Sequence, residues 1–320
     1  MSCKTRAYRL NRAGLADATQ IGYIGLGQIG LPMAERLLAG HRLLVHDLDP
    51  QAASPLLAAG AKAATGPKDF APCRAVLLCL PTSDHVRAAL LEGPDPLVDH
   101  LCAGCLIIDQ SSGVPQCSQE LAATLRARSL RFVDAPISGG PQAARAGTLA
   151  IMVGAEADDL ADATEILQQI SPNITHAGPP GAGQAVKLAN NMLAAVQRLV
   201  ALEGVALATH YGVKAQVAAQ IIRQSSGNSF YVERFLAPHI SQGRLKHGFS
   251  MGLVHKDLQL ACSLADRRKV GLLFAPLAKS LYHMGMQEFG SAQEVNAMAL
   301  LMDRLLSSCV VPEGHDLTDM

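Results

Sequence analysis

Lys187 and Asn191 stand four residues apart in the stretch GQAVKLANNML, and on a helix that spacing puts both side chains on one face. Such a pair suits work on an alcohol, the lysine holding a hydroxyl group while the asparagine positions it. A lysine is charged near neutral pH and already serves as an acid. To serve as a base, its pKa must fall through burial or a neighbouring cation, for which Lys256 is the candidate. Taken alone, the segment reads equally as a lysine snorkelling from the edge of a buried helix.

A second chemical signal lies near the start, in IGYIGLGQIG. A short apolar run leads into Gly25, Gly27 and Gly30, followed by a helical pattern. In this arrangement Gly25 permits a tight turn, Gly27 lets a pyrophosphate approach the backbone, and Gly30 lets the helix pack close. The helix start then supplies amide donors to the phosphate. The next apolar run, RLLVHD, ends in Asp47, twenty-two residues from Gly25, where an acid hydrogen-bonds a ribose diol. Its charge repels a 2′-phosphate, and no Lys or Arg follows before Lys62, so NAD is expected rather than NADP. The plain alternative is a glycine-rich turn with Asp47 as a cap. A third cluster, DAPISGGP, ends a strand-like run with Ser138, Gly139 and Gly140, whose unobstructed amides can converge on an anion. Otherwise it is a turn rich in small residues.

These residues need elements to hold them. From residue 20 to about 178 short apolar runs alternate with helical patterns, the strand candidates being Ile21 to Ile24, Arg42 to His46, Ala75 to Leu80, Leu106 to Asp109, Phe132 to Asp134 and Leu149 to Val153. That alternation predicts an α/β fold with a doubly wound, mostly parallel sheet of the Rossmann type. From Gly183 to Tyr211 runs one long helical pattern. Beyond it only helical segments follow, around 213–224, 251–268, 276–288 and 293–307. The expected organisation is an N-terminal extension over 1–20, a dinucleotide-binding domain over 21–182, and a long interdomain helix with an all-α C-terminal domain over 183–320.

Composition narrows the class. With 320 residues, the chain has room for two domains, and 27 basic residues balance 27 acidic ones, so nothing points to a nucleic-acid partner. The eight cysteines are expected to be reduced thiols; Cys102 and Cys105 form one CxxC with no second pair to close a zinc site, and no metal is expected. The apolar stretch from Met192 is interrupted by Gln197, Arg198 and Glu203 at helical spacing, which reads as a buried helix rather than a membrane span. Lys4, Arg6, Arg9 and Arg12 stand against Asp17 in the first 20 residues; a loose extension of a cytoplasmic protein is preferred over an organelle-targeting segment.

GLGQIGLPMA, LPTSDHV, DQSSGVP, FVDAPISGGPQAARAGTLAIMVG, GAGQAVKLANNML and HKDLQLA follow one another in an order and spacing that resembles the β-hydroxyacid dehydrogenase family, over residues 20 to about 307. The resemblance implies a Rossmann domain, a long interdomain helix and a helical domain. It implies hydride transfer between NAD and a small β-hydroxy acid such as 3-hydroxyisobutyrate, with Lys187 as general acid and base beside Asn191. It implies that Ser138, Gly139 and Gly140 grip the substrate carboxylate, and that Asp257 also lies at the substrate. The coenzyme contacts it implies are Leu26, Gln28 and Ile29 within the glycine loop, then Leu80, Pro81, Ser112, Phe249 and Lys256. Ile29 stands where the family usually has Met, Ser112 where it often has Thr, and His85 where it often has Asn, which leaves the substrate open.

Related activities are reduction of tartronate, glyoxylate or succinate semialdehydes. The chain is short for a 6-phosphogluconate dehydrogenase, and imine reductases of this kind usually lack a lysine at position 187. From a different class comes a non-catalytic NAD-binding scaffold or sensor, which would have no need of Lys187, Asn191 and the SGG loop together. A serine hydrolase is disfavoured because no GxSxG follows a strand. A long apolar helix and an alanine-rich second domain suggest a homodimer or homotetramer.

Overall fold

The computed structural model describes residues 20–246, 248–312 and 314; the extension read over 1–20 lies outside them, Gln20 apart. The chain divides into two compact units between Lys187 and Leu188.

The first unit alternates strands and helices. Its strands are β1 (Gln20–Ile24), β2 (Arg42–His46), β3 (Lys62–Ala63), β4 (Ala75–Leu78), β5 (Leu106–Asp109), β6 (Arg131–Asp134), β7 (Ile137–Ser138), β8 (Ala150–Gly154) and β9 (Ile174–Gly178). Between them lie α1 (Gly30–Leu38), α2 (Ser54–Ala58), α3 (Ser83–Leu91), α4 (Pro115–Ala127), α5 (Gly140–Ala146) and α6 (Ala157–Leu167). The sheet order is β3-β2-β1-β4-β5-β6-β8-β7, with β9 beside β8; β1 to β6 run parallel, and β8 is antiparallel to β6 and β7.

Continuous apolar runs explain the parallel part, because side chains alternate across a strand and both faces of this sheet are covered. Ile21, Tyr23, Val45, Leu77 and Ile108 join one core, whereas Ile24, Leu44, Val76, Leu78 and Ile107 join the other. Strand order reverses at β1, flanked by β2 and β4, and the crevice beyond the carboxyl ends of strands at such a switch point is where ligands bind.

The helix α7 (Ala182–His210) runs for 29 residues and carries the chain into the second unit. There α8 (Ala215–Arg223), α9 (Met251–Arg267), α10 (Phe274–Phe289) and α11 (Met298–Leu306) surround a core that includes Leu202, Val232, Met251, Tyr282 and Met298. Arg198 is buried in that core, donating from Nη1 to the Tyr282 hydroxyl at 3.0 Å and lying 4.9 Å over the Tyr231 ring. Val232–Leu236 form a π-helical turn that sequence periodicity does not reveal.

One expectation needs correcting. The stretch from Met192 is not buried all round: Leu188, Ala195, Leu199, Leu202 and Ala206 are buried at spacings of three to seven, while Leu193, Val200 and Leu207 stay exposed on another face. Gln197 and Arg198 also differ, since only Arg198 is buried. The helix is amphipathic in burial although nearly uniform in polarity.

Gly183, in the first turn of α7, marks a close approach of this helix to the sheet. A Cβ there would collide with the Met152 carbonyl oxygen of β8 and lie 2.8 Å from Asp134 Oδ2. Gly183→Ala is expected to lower stability by about 1–3 kcal/mol through overpacking. Urea unfolding checks this, and an unchanged midpoint would mean that the start of α7 can move freely.

Candidate active site

The glycine loop turns directly off β1. Gly25 has φ +96°, a region open to glycine, and a Cβ there would collide with the Cys79 carbonyl oxygen; one on Gly30 would collide with the carbonyl of Gly25. Gly27, by contrast, has nothing within 4 Å of where a Cβ would stand, and it is exposed together with Gln28. Two glycines therefore build the turn and the third leaves its surface open, as a pyrophosphate cradle requires. Leu26 is buried and Ile29 half-buried, each packing into the core beneath the loop.

Asp47 closes the loop from β2. Its Oδ2 accepts the Leu26 amide at 2.6 Å and its Oδ1 accepts that of Asp49 at 2.9 Å. Each carboxylate oxygen retains a lone pair, so these bonds orient the group without exhausting its capacity for ribose hydroxyls.

Beyond β4 and β5 the next loops are cross-linked. The Leu80 amide donates to Ser111 Oγ at 2.8 Å, and the Ser111 amide donates to Asp109 Oδ1 at 2.9 Å. Burial pushes the Asp109 carboxyl up to about 7, against the opposing pull of Ser111's hydroxyl and amide. Pro81 is exposed and Ser112 half-buried, so both candidate coenzyme contacts sit at the surface of this braced layer.

The start of α7 is fastened to the same layer. Asp134, at the end of β6, accepts the Gly181 amide at 2.6 Å on Oδ1 and the Gln184 amide at 2.9 Å on Oδ2. Burial drives its carboxyl up to about 6 while these amides pull the other way. Gln184 is fully buried; its Oε1 accepts from the Gly113 amide at 2.8 Å and its Nε2 donates to the Ser111 carbonyl at 2.7 Å. Lys187 follows one turn later and is only 7% exposed.

The SGG loop leaves the sheet at β7. Ser138 pairs with Ala150, Gly139 has φ +138° and Gly140 φ +72°, so the loop conformation depends on both glycines.

In the second unit Asn191 donates from Nδ2 to Asp257 Oδ2 at 2.6 Å and accepts from Asn190 Nδ2 at 3.1 Å. Asp257 is buried on α9, its other oxygen 3.5 Å from Lys256 Nζ, so it orients the Asn191 amide. Phe249 is 36% exposed just ahead of α9. Sequence reasoning did not single out Asp109, Ser111, Asp134 or Gln184 for any role. The available signal was an acid closing a buried apolar run, in LIID and FVD, because an unpartnered carboxylate is rarely buried.

Family models agree with this layout: residues 20–178 match the NAD binding domain of 6-phosphogluconate dehydrogenase, and residues 181–302 match the NAD-binding domain of NADP-dependent 3-hydroxyisobutyrate dehydrogenase. The NAD-dependent L-serine dehydrogenase of Pseudomonas aeruginosa is 37% identical over 292 residues, 89% of this chain and 98% of that protein. The chain belongs to the β-hydroxyacid dehydrogenase family. The mitochondrial 3-hydroxyisobutyrate dehydrogenase of Homo sapiens is 34% identical over 84% of the chain and 82% of its own length. The structure of Mycobacterium tuberculosis 3-hydroxyisobutyrate dehydrogenase with L-serine superposes with a TM-score of 0.81 at 30% identity, covering 89% of this chain and 99% of that one. This β-hydroxyacid dehydrogenase is an NAD-dependent oxidoreductase, and the open Gly27 and the oriented Asp47 fit that coenzyme.

Asp47→Asn keeps an oxygen for the Leu26 amide while removing the charge. The ratio of kcat/KM for NAD over NADP is expected to favour NAD in the parent and to fall roughly tenfold in the variant, the size of a close charge repulsion in water. Specificity constants measured with both coenzymes decide it.

Proposed function

We propose that this dehydrogenase oxidises the primary hydroxyl of a small 3-hydroxy acid, HO–CH2–CHR–COO⁻, to the corresponding aldehyde, with 3-hydroxyisobutyrate the nominal substrate. Relatives are named for L-serine, 3-hydroxyisobutyrate and 2-(hydroxymethyl)glutarate, acids that share the carboxylate, the central carbon and the hydroxymethyl group and differ in the remaining substituent. The observation that carries the reading is Lys187: a lysine that is 7% exposed, one turn beyond the helix start that Asp134 fixes.

In this reading NAD, held by Gly25 to Gly30, Asp47, Leu80, Pro81 and Ser112 with Phe249 and Lys256, supplies the hydride acceptor when bound. Lys187 Nζ takes the hydroxyl proton during oxidation and returns it during reduction of the aldehyde. Asn191, oriented by Asp257, positions the hydroxyl. The amides of Ser138, Gly139 and Gly140 hold the carboxylate, so an acid anchored at one end presents its alcohol at the other. The same residues run in reverse for a semialdehyde reductase.

A homo-oligomer suits the exposed apolar residues Leu193, Val200 and Leu207, spaced by seven along α7, with Tyr211 84% exposed beyond them. A reducing, cytoplasmic setting suits the free thiols, of which Cys73 and Cys79 are each pushed up to about 12 by burial.

A panel of hydroxy acids with NAD and NADP, followed by absorbance of the reduced nicotinamide, tests reaction, coenzyme and substrate together. Against the best substrate, Lys187→Ala is expected to lose about 10²-fold or more in kcat, the usual worth of a positioned proton-transfer group, with NADH affinity nearly intact. A variant with near wild-type kcat would remove Lys187 from the mechanism.

A further inference from the structure

We infer that Gln184 is a positioning residue for the reaction, a buried clamp that fixes the Ser112 turn against the helix turn bearing Lys187. This rests on the assignment of Lys187 as the proton-transfer group. The two peptide groups that Gln184 grips flank a single residue: it donates to the carbonyl of Ser111 at 2.7 Å and accepts from the amide of Gly113 at 2.8 Å, with Ser112 between them. Both ends of the amide are thereby used, and no water competes, because the side chain is fully buried.

The turn it grips has no slack on its far side. Ser111 Oγ accepts the Leu80 amide at 2.8 Å, and Ser83 Oγ accepts the Val114 amide at 2.9 Å. A Cβ on Gly113 would collide with that Ser83 hydroxyl, so the turn is packed closely against α3. Behind Gln184, its own amide is held by Asp134 at 2.9 Å. The residue is therefore bonded at backbone and side chain alike.

Lys187 lies three residues further along α7, on the neighbouring face position of the next turn. A shift of Gln184 relative to the 111–113 turn is transmitted to Lys187 through a hydrogen-bonded helix, which does not stretch. Proton and hydride transfer demand reacting atoms at near-contact distance, and a misplacement of about 1 Å costs on the order of 10²-fold in rate. Simple packing would be satisfied by any apolar side chain of the same length. The two-point recognition of one peptide segment is what calls for a primary amide.

The test is Gln184→Met, similar in length and without hydrogen-bonding capacity, assayed with the best hydroxy acid of the substrate panel. Kcat is expected to fall about 10- to 100-fold. NADH affinity by fluorescence titration stays close to the parent, and the primary deuterium isotope effect on kcat rises as the chemical step becomes limiting. Should the Met variant fail to fold, Gln184→Asn keeps the amide, shortens its reach by one methylene, and is expected to show the same separation of kcat from coenzyme affinity. A folded variant with parental kcat and isotope effect would overturn the inference. So would a loss confined to NADH affinity, which would assign Gln184 to the coenzyme turn alone. Lys187→Ala measured alongside separates the two levels: retained turnover there defeats the assignment of Lys187, whereas an inactive Lys187→Ala beside fully active Gln184 variants defeats only the clamp.

Discussion

The constraint on which the first unit's chemistry depends is a buried carboxylate meeting the open end of a helix. The first amides of any helix lack partners, and at α7 two of the neighbouring amides, Gly181 and Gln184, are satisfied by Asp134. An acid in that position also faces the positive end of the helix dipole. The closeness this demands explains the local sequence. Gly181 has φ +91°, and at Gly183 the space of a Cβ is taken by the Met152 carbonyl and by Asp134 itself. Burial raises the Asp134 carboxyl towards protonation while the amides favour its anion, so the group is stabilised where it stands only because the helix arrives there.

Asp109 holds a loop amide in a similar way one strand away. It closes β5 as Asp134 closes β6, and the two strands are paired with Asp109 directly opposite Asp134. Asp109 braces the Ser111 turn, and Asp134 braces the start of α7; Gln184 joins what the two acids hold. The nearby charge of Asp134 adds to the effect of burial in raising the Asp109 carboxyl. A Rossmann sheet offers this geometry readily: every parallel strand ends on the same edge, so loops with different tasks emerge side by side above a common floor.

Much of this was legible in the order of residues. Arg42–His46 and Leu106–Asp109 are strands at the limits that their apolar runs indicate, and α7 spans 182–210 where the helical pattern covers 183–211. The glycine loop was readable because each glycine answers a separate steric demand, and Gly25, Gly27 and Gly30 divide those demands as their spacing suggests. The short strands Lys62–Ala63 and Ile137–Ser138 were not, because two residues carry no periodicity, and Ile174–Gly178 is an edge strand whose Thr175, His176 and Ala177 are exposed. Asp134 and Gln184 escaped for another reason. Their roles come from pairing across 47 to 73 residues, which no local pattern encodes; the glycines around Gln184 register that a close approach exists without naming what approaches.

The helix α7 shows how one element meets opposing demands. Lys187 is buried, yet the helix that carries it is apolar on nearly every side and offers little of its own to fix its rotation. Residues such as Leu193, Val200 and Leu207 are as hydrophobic as the buried Leu188, Leu199 and Leu202, so hydrophobic burial alone discriminates weakly between rotations. Directional contacts at the first turn settle the matter. Asp134 and Gln184 hold the backbone of the first turn in one angular setting, and the helix carries that setting to Lys187. Polar atoms buried at the helix start thus confer an orientation that its apolar length cannot.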